Sequence, residues 1–336
     1  MLISVVIPTH NRPELLSEAV ASVGAQTHRD WEIVIVDDGS TPPVDAGLLT
    51  NAAGPRLRVV RHPVALGVPK AKNAGVRAAQ GEIILLLDDD DLLVPSALER
   101  VNRIFSDHPH LDCVFLGVEP FGRHSGGAAQ GREAALDRIK SQCSPRESDG
   151  IYLFGASIFD ALLAGVPIDF QRPAARRGAW NIVGMFDEGS LFSESAWAMK
   201  ATANCKVALT VEPLTRWRLH GDNFGWPSDM SVDQIKARQI ENGIRASTEL
   251  LRSFEERESL AISQRKSIAT SLASQLFDGA YHFRDSDRPK GLRLLAQSFW
   301  IDPQWRHLRL ALTFLLPRSR RSVRRIRADP ESNKPI

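Results

Sequence analysis

The chain has 336 residues, 43% hydrophobic and 24% charged, with three cysteines and a formal net charge of +2. That apolar content and near-neutral balance exclude a mainly disordered chain and a dedicated nucleic-acid binder. Cys113, Cys143 and Cys205 are isolated and odd in number, which excludes a disulfide framework and a paired-cysteine metal knuckle and points to a reducing, cytoplasmic setting. Pro8 interrupts the first apolar run and no basic stretch precedes it, so a signal peptide is not expected. No run approaches the ~18 apolar residues that a spanning helix needs.

Residues 3–8 (ISVVIP) are β-branched and apolar and predict a buried strand. A polar loop, Thr9-His10-Asn11-Arg12, leads to Pro13, suited to a first helical position. Leu15, Leu16, Ala19, Val20 and Val23 then share one helical face. Residues 31–36 (WEIVIV) predict a second strand closed by Asp37-Asp38-Gly39-Ser40, and residues 56–61 a third. A helix over 68–80 begins with Pro69 and stops at Gly81. Residues 82–87 (EIILLL) predict a fourth strand, ending in Asp88-Asp89-Asp90-Asp91. Strands separated by helices imply parallel crossovers, and such sheets bind ligands beyond the carboxyl ends of their strands. Three strand ends here carry polar clusters.

Further on, residues 111–118 read as a strand, 122–131 as a mobile Gly/Ser/Ala-rich loop, and 207–211 and 214–219 as two short strands. Residues 151–165 and 179–189 carry mixed signals. Residues 231–274 are polar and helical, and 300–316 form an apolar helical stretch with Pro303 and Pro317 near its ends. The expected organisation is an α/β domain over 1–225, a helical region over 226–316 and a basic, disordered tail over 317–336.

Several clusters could carry chemistry. Four adjacent carboxylates after a buried strand repel one another and need a cation or solvent; a hard divalent ion with phosphates is the natural occupant. In an extended chain Asp88 and Asp90 would point together, as would Asp89 and Asp91. Asp37 and Asp38 could accept hydrogen bonds from a base or a ribose. The loop from Pro8 to Arg12 opens a helix N-terminus, which favours an anion, but it lacks the glycines of a dinucleotide or P-loop motif. Lys70 and Lys72 oppose the dipole of their helix, a conflict that a bound diphosphate would relieve. Glu194, near Trp197, could be a desolvated base. His220 could meet a metal or a phosphate.

In this order the segments SVVIPTHNR, DWEIVIVDDGS and LGVPKAKNAGVRAAQGEIILLLDDDDLLVP resemble the N-terminal signature of the family-2 glycosyltransferases. GMFDE and RWRLHGDN resemble its weaker second half, and the likeness covers about residues 2–224. The resemblance implies the GT-A fold: Rossmann-like, a mostly parallel sheet flanked by helices, here with a C-terminal helical extension. It implies an inverting, metal-dependent transfer of a sugar, of hexosyltransferase type, from a nucleoside-diphosphate sugar, most often a UDP-sugar. Pro8, Thr9, Asn11 and Arg12 would border the nucleotide. Asp37 would contact the base with Asp38 nearby, and Lys72 would face the nucleotide. Asp88 and Asp90 would form the DxD pair, Asp89 lying between them on the donor side, with Asp90 closest to a Mg²⁺ or Mn²⁺ ion. The family's base usually lies in a Glu-Asp pair. This chain reads Ser193-Glu194-Ser195, so Glu194 takes the base position, or Ser195 if the alignment shifts by one. His220 would match a late histidine near the diphosphate.

A degenerate member that binds donor without transfer is a second reading, supported by the departure at Glu194. An aspartyl-nucleophile phosphatase also places DxD after a strand, but Leu92 stands where that class wants Thr or Val. The resemblance suggests polysaccharide or glycoconjugate assembly and a glycan or other hydroxyl acceptor. Arginines at 318, 320, 321, 324, 325 and 327 follow an apolar helix. They could bring the tail to an anionic membrane surface.

Overall fold

β-Branched runs near the N-terminus build one half of the sheet. In a computed structural model of the chain, the described residues are 1–53, 56–123, 125–190, 193–220 and 262–315, with scattered helical positions between 234 and 252. The chain divides into two compact units, one of residues 1–231 with 245–268 and one of 232–244 with 269–336.

In the first unit, β1 (Ile3–Thr9) is buried at every residue, as a strand covered on both faces must be. It pairs in parallel with β2 (Trp31–Asp38) and β4 (Ile83–Leu86), and β2 pairs in parallel with β3 (Leu57–His62). The register aligns Thr9 with Asp37 and Val6 with Leu86. The carboxyl ends of β1, β2 and β4 therefore share one edge, where the sequence places its polar clusters. Ile3, Val5 and Ile7 pack with Leu16, Val20 and Val23 of α1 (Pro13–Gly24), while Val6 points to the opposite core. α3 (Val68–Ala78) crosses that second face closely: a Cβ on Gly75 would lie 2.2 Å from Val6 Cγ1. α2 (Ala46–Ala53) and α4 (Ala97–Asp107) complete the helices of this half.

The rest of the sheet is mixed. Among the described residues ten strands join in the order β3-β2-β1-β4-β9-β6-β10-β8-β7, with the two-residue β5 (Leu92–Leu93) on β10. β6 (Cys113–Gly122) and β10 (Val207–Leu219) run in parallel. The short β9 (Pro173–Arg176) lies antiparallel between β4 and β6. β7 (Arg146–Ser148) and β8 (Ile151–Leu153) form the far edge. The sheet is thus the mostly parallel, helix-flanked architecture expected.

Three local expectations are corrected. The glycine-rich segment after residue 122 is not a loop: α5 (Ser125–Cys143) forms there. Burial of Ile139 and ties from Arg132 to Asp169 and from Arg138 to the Ala161 carbonyl hold it against its poor propensity. Residues 207–219 are one strand, not two. Shifts of register around Pro213, which has no N–H to give, absorb the break. The stretch expected as one helix over 300–316 is divided. α10 (Arg288–Ile301) ends before Pro303, and α11 (Trp305–Leu315) starts after it.

α6 (Ser157–Leu162), α7 (Arg177–Val183) and α8 (Ser193–Asn204) close the first unit. In the second unit, α9 (Ile262–Phe283), from Ala269 onward, packs with α10 and α11 around Ala280, Leu294, Leu310 and Phe314. No helix of the described residues is long and apolar enough to cross a membrane. The basic tail over 317–336 and most of residues 226–261 lie outside the described residues, as do residues 221–223 of the RWRLHGDN segment.

Candidate active site

The acidic run does not stay extended. The Asp91 N–H donates to the Asp88 carbonyl at 3.1 Å, a turn that replaces the alternation expected of a strand. The carboxylates consequently sort into different pairs. Asp88 and Asp91 share Arg172, whose Nη2 lies 3.0 Å from Asp88 Oδ2 and 2.7 Å from Asp91 Oδ2. Asp89 and Asp90 share Arg12, whose Nη1 lies 3.1 and 3.0 Å from their oxygens. Thr9 Oγ1 also donates to Asp89, at 2.7 Å, and His220 Nε2 lies 3.1 Å from Asp90 Oδ2. The Arg218 backbone N–H donates to Asp91 at 3.0 Å.

Arg172 arrives by topology. It immediately precedes β9, and β9 runs antiparallel to β4 with Ala174 opposite Leu85. The start of β9 is thereby set beside the end of β4, so the guanidinium meets the acidic turn from the far side. Burial alone would push Asp88 up, yet Lys72 and Arg172 hold it well below the usual carboxylate range. Asp91 moves the other way, because burial and its neighbours Asp88 and Asp90 outweigh Arg172. Burial opposes the charge of Arg12, but Asp89 and Asp90 raise its pKa.

Lys72 is buried in α3, and its Nζ bridges two carboxylates: Asp88 Oδ1 at 2.6 Å and Glu194 Oε1. Burial would lower its pKa; Asp88 and Glu194 raise it. Neighbouring Asn73 ties α3 to the loop before α8. Its Nδ2 donates to the Phe186 carbonyl at 3.0 Å, and its Oδ1 accepts from the Phe186 N–H at 2.9 Å. Trp197 fixes α8 from within. Its ring stacks 4.5 Å from Trp180, and its Nε1 donates to the Gly184 carbonyl at 2.9 Å. Glu194, one turn earlier, is held over Lys72 as a result.

The β2 cluster serves its own loop. Asp37 is fully buried and accepts from the N–H groups of Ser40 (2.8 Å) and Val44 (3.0 Å) and from Arg61. Burial would raise its pKa, but these hydrogen bonds lower it. Asp38 accepts from His62 at 2.7 Å and from the N–H groups of Leu66 and Gly67 at 2.9 and 2.8 Å, which likewise outweigh burial and lower its pKa. Gly39 sits at φ +75, and a Cβ there would lie 2.5 Å from the Ala65 nitrogen, so the turn requires glycine. Asn11, at φ 53, accepts from the Thr41 N–H at 2.7 Å.

These elements enclose one cleft of ≈ 620 Å³. Pro8, Thr9, Arg12, Asp38, Lys72, Asp88, Asp89, Asp90 and Glu194 line it. Asn11, Asp37, His220, Lys70 and Ser195 are not among the lining residues. Asn11 and Asp37 brace the loops behind the wall, and His220 reaches the cleft through Asp90. The sequence reading did not single out Arg172 or Arg218. Arg172 carries no motif: it is one arginine before a proline in a four-residue strand. Arg218 lay within the quoted RWRLHGDN segment.

Residues 4–159 match the model of the family described as Glycosyl transferase family 2. The uncharacterized glycosyltransferase alr2836 of Nostoc sp. is 42% identical over 122 residues, which are 34% of this chain and 38% of that protein. The chain thus spans well under half the length of the curated relatives it matches. Staphylococcus aureus TarS 1-349 in complex with UDP-GlcNAc has a TM-score of 0.59 at 17% identity, covering 92% of this chain and 84% of that one. The mannosyltransferase PcManGT of Pyrobaculum calidifontis, in complex with GDP-Man and Mn²⁺, has a TM-score of 0.53 at 17% identity, covering 93% and 78%. Likeness at such identity concerns the fold alone.

Proposed function

We propose, from the match of residues 4–159 to the glycosyltransferase family 2 model, that this chain moves a sugar from a nucleoside-diphosphate sugar to an acceptor hydroxyl, with inversion at the anomeric carbon. One observation carries the reading: the acidic turn after β4, the buried Lys72 and Glu194 open on a single cleft. The family resemblance favours a UDP-sugar as donor and polysaccharide or glycoconjugate assembly as setting. The catalytic domain is assigned to residues 1–225.

Pro8, Thr9, Arg12 and Asp38, backed by Asn11 and Asp37, border the nucleoside. Asp88, Asp89, Lys72 and His220 border the diphosphate. Asp88, Asp90 and Asp91 each offer an oxygen, all within 4.8 Å of one another. That hard donor set fits Mg²⁺ or Mn²⁺, and Asp90 would hold the ion. A divalent cation held by these carboxylates would supply charge neutralisation for the leaving diphosphate.

The remaining work falls to side chains. A Glu194 carboxylate oxygen takes the proton of the acceptor hydroxyl. The acceptor oxygen bonds to the sugar C1 as the C1–O bond to the diphosphate breaks, and the electron pair leaves with the diphosphate. Lys72 holds Glu194 and Asp88 at a fixed separation, and with Arg12 it supplies positive charge where the leaving group develops. The test is a panel of nucleotide sugars scored by thermal shift with Mn²⁺. One donor should stabilise the protein, and Asp90→Ala should abolish the metal-dependent part of the shift. Unchanged donor affinity in Asp90→Ala with metal present would sink the DxD assignment.

A further inference from the structure

The second unit carries a surface that the chemistry of the cleft does not use. α10 and α11 meet at a short corner, and two tryptophans flank it: Trp300 is 87% exposed and Trp305 82%. Phe299, Ile301, Leu308 and Leu312 are exposed beside them. Trp305, Leu308 and Leu312 fall three and seven residues apart on α11, so they share one helical face. His307, Leu310 and Phe314 are the residues that α11 buries.

The corner is internally braced. Ser298 Oγ donates to the Ala273 carbonyl at 2.6 Å and accepts from His307 Nε2 at 2.7 Å. The Gln304 N–H donates to His307 Nδ1 at 3.1 Å, and Phe277 and Phe299 meet the His307 ring edge-on at 5.2 and 5.8 Å. The tryptophans are therefore presented from a packed support.

The charge along these two helices is predominantly basic, although Lys290 pairs with Glu241. Residues 288–315 carry Arg288, Lys290, Arg293, Arg306 and Arg309 against a single acid, Asp302, and six arginines follow between 318 and 327. A second copy of the same face would bring like charges together. Tryptophan has an apolar body and a polar N–H suited to the boundary between acyl chains and headgroups. We infer that this corner docks on an anionic phospholipid membrane. Trp300 and Trp305 enter the interface, Leu308 and Leu312 lie along it, and Arg293 and Arg309 meet headgroup phosphates. The inference does not rest on the glycosyl-transfer reading.

The experiment uses the full chain with sedimentable vesicles of equimolar phosphatidylcholine and phosphatidylglycerol, and of phosphatidylcholine alone. The protein should co-sediment with the anionic vesicles, less so as salt rises, and brominated acyl chains should quench its tryptophan fluorescence. Trp300→Ala with Trp305→Ala should weaken binding by about tenfold or more, with melting temperature and circular dichroism unchanged. Arg293→Gln with Arg309→Gln should weaken binding to anionic vesicles only. Equal binding by the double-tryptophan variant would overturn the inference and leave any attraction to the arginines beyond 317. No vesicle binding by the wild-type protein would overturn it outright. A dimer in light scattering that the tryptophan variant dissolves would then reassign the surface to a second copy.

Discussion

The acidic turn is held from two sides that are built differently. On one side stand β1 with the loop that follows it, β2 and α3, consecutive or nearly so in the chain, which deliver Thr9, Arg12 and Lys72. On the other stand β9, α8 and β10, which lie 80 to 130 residues further on and deliver Arg172, Glu194 and the Arg218 and His220 contacts. The first side is specified by local rules: a buried strand, a polar turn and a helix start. The second is specified by which strand lies next to which, and that is a property of the whole sheet. If both sides belong to one machine, damage to the distant side should cost as much as damage to the near one.

The largest expected effect is on turnover. Glu194→Gln keeps the shape and removes the proposed proton acceptor, so transfer should fall by about 10²–10⁴-fold while donor binding, read by calorimetry, persists. Full transfer by this variant would remove Glu194 from the base role and with it the functional weight of the distant side.

Arg172 tests the same comparison through stability. It is buried against Asp88 and Asp91. Arg172→Met would leave those charges without their shared partner, and breaking a buried pair in this way costs about 3–5 kcal/mol. Urea unfolding should show a correspondingly lower midpoint. A wild-type midpoint would mean that Lys72 and the Arg218 N–H suffice, and that the β9 side is dispensable.

The difference between the two sides also explains what could be read in advance. β1, β2 and β4, α1 and α3, and the polar ends that follow them were legible because apolar periodicity and turn residues are local signals. Lys72 and Asp88 could be named from position alone, though not their shared bond. The interior of the acidic turn was misread as extended, because one hydrogen bond from Asp91 to Asp88 re-sorts all four carboxylates. Arg172 had no local signal. Its position follows from the insertion of β9 between β4 and β6, an antiparallel step in an otherwise parallel run. α5 was missed for a related reason: what stabilises it, Asp169 and the Ala161 carbonyl, lies outside its own segment.

A smaller effect should appear on the near side as a change with pH. Asp37 has a folded pKa below its ordinary value. It therefore contributes stability that is present above the unfolded value, near ~3.9, and lost as pH falls through the folded one. Asp37→Asn should cost about 1–3 kcal/mol at neutral pH, because Arg61 and two N–H groups lose a charged acceptor. The gap between variant and wild type should then narrow as pH drops from about 5 toward 2. A gap that stays constant over that range would mean that Asp37 acts by shape and not by charge.

The smallest effect isolates a purely local device in the second unit. Asp287 precedes α10, and its Oδ1 accepts from the Lys290 N–H at 3.1 Å, satisfying one of the free donors of the first turn. Asp287→Ala should cost about 1 kcal/mol, visible as faster hydrogen exchange in the first turns of α10. Asp287 belongs to the second unit and the acidic cleft to the first, so donor affinity and turnover should not move. Should they fall, the helices beyond 269 would bear on the cleft, and the contrast between local and sheet-wide specification would have to include them.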